Sequence, residues 1–214
     1  MKKIIAINAS PRSEWNTGSL VREAAKGAES AGAEVEVIDL YKLKNFKGCV
    51  SCFGCKLPEH FGKCVYHDDL LPVLEKAENA DGLIIGTPNY LGNVSSGFRA
   101  FYERLIFQKI SYKKEPKNYV EKKIPVLLIM TSNVSEDFYT QIGYDKMLED
   151  YKNRFENMVG PTEIMICGDT LQVDDYEKYD WTMFDPNAKK LRRETVFPKE
   201  MEKAFSLGAE IAGK

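Results

Sequence analysis

Four of the five cysteines fall within sixteen positions, Cys49, Cys52, Cys55 and Cys64, in the order C-x2-C-x2-C-x8-C. Thiolates are soft ligands, and a compact set of four suits iron held with sulfide as a cluster. Two other uses fit the same residues. Four thiolates also bind tetrahedral Zn²⁺, although zinc sites typically pair two C-x2-C units across a longer gap. Free thiols in a loop can also cycle as a disulfide. The spacing leaves all three open. Cys167 stands alone after an apolar run and reads as a small core residue. The two histidines, His60 and His67, flank the cysteine stretch and take no role from their context.

A second group of candidates follows the first apolar run. Ser10, Arg12, Asn16, Thr17 and Ser19, with Gly18 among them, bring hydroxyls, an amide and a guanidinium to the place where a strand ends and a helix begins. A helix N-terminus offers unpaired N–H groups and partial positive charge to an anion. Neither G-x-G-x-x-G nor G-K-[ST] is present, which disfavours a pyrophosphate or nucleotide-hydrolysing site and favours a terminal phosphate monoester. Thr17 or Asn16 as a plain helix cap is the simpler alternative, but it leaves Ser10 and Arg12 unexplained.

A third group, Thr87-Pro88-Asn89-Tyr90-Leu91-Gly92-Asn93, again follows a strand and precedes a helix. Tyr90 supplies an aromatic face, and the Gly92–Asn93 backbone can approach a planar ring. Alone it would be an ordinary Pro/Asn/Gly turn. Paired with the first loop, it reads as the second half of a flavin cradle.

The elements that must position these groups are legible in the apolar periodicity. Strands are expected at 3–8, 34–40, 82–86, 124–130 and 162–166, and helices at 19–31, 70–79, 95–107, 138–158 and 198–212. The all-apolar Gly82–Gly86 run suits a central parallel strand. Asp68 and Asp69 open a helix, where carboxylates cap N–H groups. The alternation predicts one α/β domain over residues 1–214, with a doubly wound five-stranded parallel sheet, helices on both faces and ligands beyond the carboxyl ends of the strands. The cysteine segment, about 45–67, and an irregular arm, about 168–196, interrupt the alternation.

Composition excludes other classes. A net charge of -2 gives no reason to expect nucleic acid or an anionic membrane as partner. The apolar start stops at Asn8, too short for a secretory or membrane segment, so a cytoplasmic location is expected. In that reducing setting clustered thiols serve metal or redox chemistry rather than structural disulfides. No catalytic triad or hydrolase constellation is present. Aromatics in the arm, among them Tyr176, Tyr179, Trp181 and Phe184, lead to an expected homodimer or higher oligomer that covers them.

Taken together, Ser10-Pro11-Arg12 with Asn16-Thr17, the run T-P-N-Y-L-G-N-V-S-S-G-F-R-A-F-Y-E-R-L from Thr87, and T-S-N at Thr131 resemble the NADPH-dependent FMN reductase branch of flavodoxin-like proteins. The four cysteines followed by Asp68-Asp69 resemble its iron–sulfur flavoprotein group. The likeness covers about residues 3–135 well and the carboxyl third weakly. It implies a flavodoxin-like sheet of order 2-1-3-4-5, non-covalent FMN, and electron transfer from a reduced nicotinamide or protein donor to a small-molecule or protein acceptor. It also assigns Ser10, Arg12, Asn16 and Thr17 to the phosphate, residues 87–93 to the isoalloxazine, Ser132 and Asn133 to a third loop, and the four cysteines to a 4Fe–4S cluster. The chain departs from the pattern at Trp15, where many members have glycine, in a third loop lacking glycines, and in the long final cysteine gap.

Overall fold

The structure, a computed structural model, describes residues 1–213. Strands β1 (Lys3–Asn8), β2 (Glu34–Asp39), β3 (Gly82–Tyr90), β5 (Val126–Thr131) and β6 (Thr162–Cys167) form a parallel sheet in the order β2-β1-β3-β5-β6. This is the flavodoxin-like order that the family resemblance implies. A short β4 (Asn93–Val94) pairs antiparallel with the end of β3. Inner strands are apolar on both faces because helices cover both. Ile5, Ile7, Leu83, Ile85, Leu128 and Met130 face one core layer with α2 (Leu71–Glu78), α3 (Ser96–Lys109) and α5 (Tyr144–Met158). Ile4, Ala6, Ile84, Leu127 and Ile129 face the other, with α1 (Asn16–Ser30) and α7 (Phe197–Gly213).

Helices α1 and α7 touch backbone to backbone. A Cβ on Gly27 would lie 1.9 Å from the Phe205 carbonyl oxygen, and one on Gly208 would lie 1.9 Å from that of Ala24. Only glycine permits this approach at both positions.

Four local expectations are corrected. Helix α1 starts at Asn16 rather than Ser19, so Asn16 and Thr17 occupy its first turn instead of capping it. Strand β3 runs on to Tyr90 and turns into β4, so part of the supposed loop is a hairpin. The helix expected over 138–158 is split at Gly143, whose φ of +78° ends α4 (Tyr139–Ile142) before α5 begins. The arm is irregular only to Asp185, with one 3₁₀ turn at Tyr176–Lys178, and then forms α6 (Pro186–Thr195), capped by the Asp185 carboxylate. The low apolar content of α6 hid it. Among the described residues no helix is long and apolar enough to cross a membrane.

Candidate functional site

Three loops meet beyond the carboxyl ends of β1, β3 and β5. The first is shaped by Asn8, which is fully buried at the end of β1. Its Oδ1 accepts from the Ser10 N–H at 3.1 Å and its Nδ2 donates to Asp39 at 2.8 Å. Burial opposes the Asp39 charge, yet hydrogen bonds from Lys42, Asn8 and Arg22 hold its carboxyl below the usual range. Ser10 Oγ accepts from the Arg12 N–H at 3.2 Å, closing a tight turn. At Gly18 a Cβ would stand 1.7 Å from the Ser13 carbonyl oxygen, so this glycine lets the loop fold onto α1 without itself lining the pocket.

No side chain caps α1 and no acidic residue occupies its first turn. Its leading N–H groups and dipole are thus available to an anion. Thr17 Oγ1 lies 2.7 Å from Thr131 Oγ1, joining the first loop to the third. Ser132 Oγ is 2.7 Å from the Tyr139 hydroxyl, and burial raises that phenol to about 12 despite the Ser132 hydrogen bond, which acts the other way.

In the hairpin, Leu91 (φ +52°) and Gly92 (φ +79°) both have positive φ, the geometry of a two-residue turn matching strand twist. Asn89 Oδ1 accepts from the Gly92 N–H at 3.1 Å. Thr87 is buried behind the hairpin, where its Oγ1 accepts from the Ser95 N–H at 3.0 Å. Leu91 is fully exposed and Tyr90 is 43% exposed, so the tip presents an apolar and aromatic surface to solvent.

The fourth wall comes from the arm and was not found from the sequence. Leu171 O accepts from Trp15 Nε1 at 3.1 Å and from Asn16 Nδ2 at 2.8 Å, while Gln172 O accepts from Arg12. Arg193 of α6 donates to Asn16 Oδ1 at 2.7 Å, and Lys189 donates to Asn133 Oδ1 at 2.7 Å. Asn16 and Asn133 therefore hold the arm with their own side chains. The result is a pocket of about 90 Å³ lined by Ser10, Arg12, Asn16 and Thr17 of the first loop, Pro88, Asn89 and Tyr90 of the second, Ser132 and Asn133 of the third, and Thr170 and Gln172 of the arm. Thr87, Leu91, Gly92 and Asn93 lie outside it. The size and donor set fit the phosphate end of a cofactor rather than a whole flavin. The buried Gln172 Oε1 has no partner among the described residues, which leaves an acceptor for a donor group of a ligand.

The cysteines form a second site. Cys49, Cys52, Cys55 and Cys64 line one tight pocket of about 20 Å³ with Phe53, Val65, Phe107 and Arg104. All stand as free thiols. Ser51 (φ +53°) and Phe53 (φ +57°) hold left-handed backbone between the cysteines. Non-glycine residues there cost about 1–3 kcal/mol each, so the curl is held against strain where three thiols converge. Helix α3 fixes both ends of the segment: Glu103 accepts from the Cys49 N–H at 3.3 Å and Gln108 from the Cys64 N–H at 2.8 Å.

Beneath lies a buried ion pair that the sequence reading missed. Arg104 Nη1 meets the Asp68 carboxylate at 2.6 Å, with both side chains at most 2% exposed. Asp68 also accepts from the Lys47 N–H at 3.1 Å and the Leu71 N–H at 3.2 Å, so it does more than cap α2. Burial works against the Arg104 charge, but Asp68 and the nearby Cys64 sulfur outweigh it and keep its pKa above normal. The available signal was a charge on the apolar face of α3, between Phe101 and Gln108. Among the described residues no group of three or more His, Cys, Asp or Glu is placed to hold a single metal ion. A four-iron cluster binds each thiolate to a different iron, so four cysteines that line one pocket without closing on a single point match its donor set better than that of one zinc ion.

A groove of about 650 Å³ runs from Cys49 and Ser51 to Asn93 of the hairpin, along Arg99, Tyr102 and Tyr151.

An anion-ready helix start, a hairpin and a third loop at the switch point of a parallel sheet define a flavodoxin-like α/β protein. Residues 2–137 match the family model of NADPH-dependent FMN reductase, and the chain belongs to that family. Its curated relatives are iron–sulfur flavoproteins. One from Methanocaldococcus jannaschii is 40% identical over 102 residues, 48% of this chain and 51% of the relative. One from Archaeoglobus fulgidus is 38% identical over 104 residues, 48% of each chain. The chain spans about half the length of the curated relatives it matches. Among solved structures, the NAD(P)H:quinone oxidoreductase of Methanothermobacter marburgensis superposes with a TM-score of 0.68 at 13% identity, covering 98% of this chain and 96% of the other. An FMN-dependent NADH-azoreductase of Bacillus anthracis, in complex with FMN, gives 0.63 at 14% identity, covering 98% and 99%. These two likenesses concern the fold.

Proposed function

We propose that the protein is an FMN-containing NAD(P)H oxidoreductase of the quinone- or flavin-reductase type. The observation that carries this reading is the pocket joining Ser10, Arg12 and Thr17 to the uncapped start of α1, with donors for a terminal phosphate and no pyrophosphate fingerprint. Bound FMN supplies the hydride and electron chemistry, which explains why the chain needs no acid–base triad. The residues bind and orient. Arg12, Thr17 and the α1 N–H groups hold the phosphate. Asn89 fixes the hairpin against which the ring rests, with Tyr90 as an aromatic face and the Leu91–Asn93 backbone alongside. The raised Tyr139 phenol keeps its proton and anchors Ser132.

The cysteine pocket supports a 4Fe–4S cluster on Cys49, Cys52, Cys55 and Cys64. It also favours a second reading, an electron carrier serving a protein partner without a substrate of its own, because the groove links Cys49 to the hairpin. A cytoplasmic homodimer or higher oligomer completes the proposal: Tyr179, Trp181 and Met183 remain exposed on the arm although Tyr176 is buried.

Protein purified without oxygen tests these readings. Released flavin should be FMN by chromatography, with about four iron atoms and four sulfides per chain. FAD alone, or no flavin uptake, overturns the assignment. NADH or NADPH oxidation with a quinone acceptor separates enzyme from carrier, since a carrier turns over only with its partner. A monomer by light scattering would remove the oligomer.

A further inference from the structure

We propose that Arg104 Nε–H, which has no acceptor among the described residues, is the donor that a ligand sulfur takes up once the four cysteines hold a cluster, and that it thereby sets the reduction potential of that cluster. This rests on reading the cysteine pocket as a cluster site.

The guanidinium is committed on two sides only. Nη1 pairs with Asp68 at 2.6 Å and Nη2 donates to the Tyr66 carbonyl at 2.7 Å. Nε is buried and has no acceptor among the described residues. A buried donor without a partner carries its full desolvation cost. A buried ion pair is a weak device for stability, since apolar residues of similar volume commonly serve as well. Arg104 lines the cysteine pocket with Phe53, Val65, Tyr66, Phe107, Gln108 and the four cysteines, and the Gln108 Oε1 already accepts from the Cys64 N–H at 2.8 Å. Sulfur is the acceptor that this surface offers.

The rest of the neighbourhood holds that geometry. Asp68 ties Arg104 to Lys47, ahead of Cys49, and to Leu71, beyond Cys64. Gln108, four residues on from Arg104, fixes the Cys64 backbone at 2.8 Å. Four thiolates on a cluster bring net negative charge into an apolar pocket, and reduction adds one more electron with no proton taken up. An N–H donor to a ligand sulfur stabilises the more negative state and raises the potential.

The test uses anaerobically loaded protein, with dithionite as electron source, cluster reduction followed by electron paramagnetic resonance and flavin reduction by visible absorption. Arg104→Lys keeps the charge beside Asp68 but loses the Nε–H. Its cluster potential should fall, by 59 mV for each tenfold loss in stabilisation of the reduced form, while the flavin potential stays put. An unchanged or higher cluster potential overturns the proposal, as does folded R104K that takes up no iron, which would make Arg104 a packing residue. Should R104K not fold, pulsed resonance on reduced wild-type protein labelled with ¹⁵N-arginine decides. A nitrogen coupling is expected, and its absence overturns the assignment. Wild-type protein without iron overturns this inference together with the cluster reading, whereas iron present with no coupling overturns Arg104 alone.

Discussion

The hydroxyls of Thr17 and Thr131 meet at 2.7 Å, both buried, and tie the first turn of α1 to the end of β5. One contact therefore serves the fold and the lining of the pocket proposed for the phosphate, and the two roles can be separated. Thr17→Val leaves the Thr131 hydroxyl without its partner and should cost about 1–3 kcal/mol of stability, along with FMN affinity. Adding Thr131→Val removes the orphan and should recover much of the stability but none of the affinity. Urea melts and flavin fluorescence titrations measure the two effects. Affinity restored in the double variant would confine both threonines to packing.

Arg12 stands at the pocket edge, bonded to the Gln172 carbonyl and 5.2 Å from the Trp15 ring centre. Arg12→Ala should weaken FMN binding roughly 10- to 150-fold, the equivalent of about 1.5–3 kcal/mol for a hydrogen bond to a charged group. Riboflavin, which lacks the phosphate, should bind wild type and variant alike. An equal loss for both ligands would show that Arg12 acts through the arm.

Asn16 joins α1 to Leu171 and Arg193 through its amide. Asn16→Ala should loosen the arm at a cost of about 1–3 kcal/mol. Limited proteolysis reads this directly, with faster cleavage between residues 172 and 183. Unchanged cleavage would mean that Trp15 and Arg12 hold the arm without Asn16.

Burial raises the Tyr139 phenol from its ordinary value of 10.0 to about 12. Between those pH values the unfolded chain releases this proton while the folded chain keeps it, so the unfolded state binds fewer protons and stability falls as pH rises. Below pH 10 the effect is absent. The window is worth roughly 3 kcal/mol at most. Chemical denaturation at pH 9 and pH 11.5 should show a smaller alkaline loss for Tyr139→Phe than for wild type, and equal losses would remove Tyr139 from the alkaline limb.

The sequence by itself determined the alternating strands of a parallel sheet and the two loops after its first and third strands, because apolar runs such as Leu83–Ile85 and Val126–Met130 mark buried strands locally; the strand order and the third loop came from the family resemblance. The sequence also determined the cysteine spacing, since four thiols within sixteen positions are a local fact. Tertiary structure decided the rest. Asn16 reads like a cap, yet its partners lie 155 and 177 residues away, and no local pattern announces them. Helix α6 is too polar to show an apolar stripe, but its Lys189 and Arg193 reach the third and first loops. Arg104 looks like one more charge on a helix until the turn from Gly48 to Asp68 brings Asp68 and the thiols over it. Local periodicity reports which face of an element is buried, whereas the partner that a buried polar atom finds is set only when distant segments close on one another.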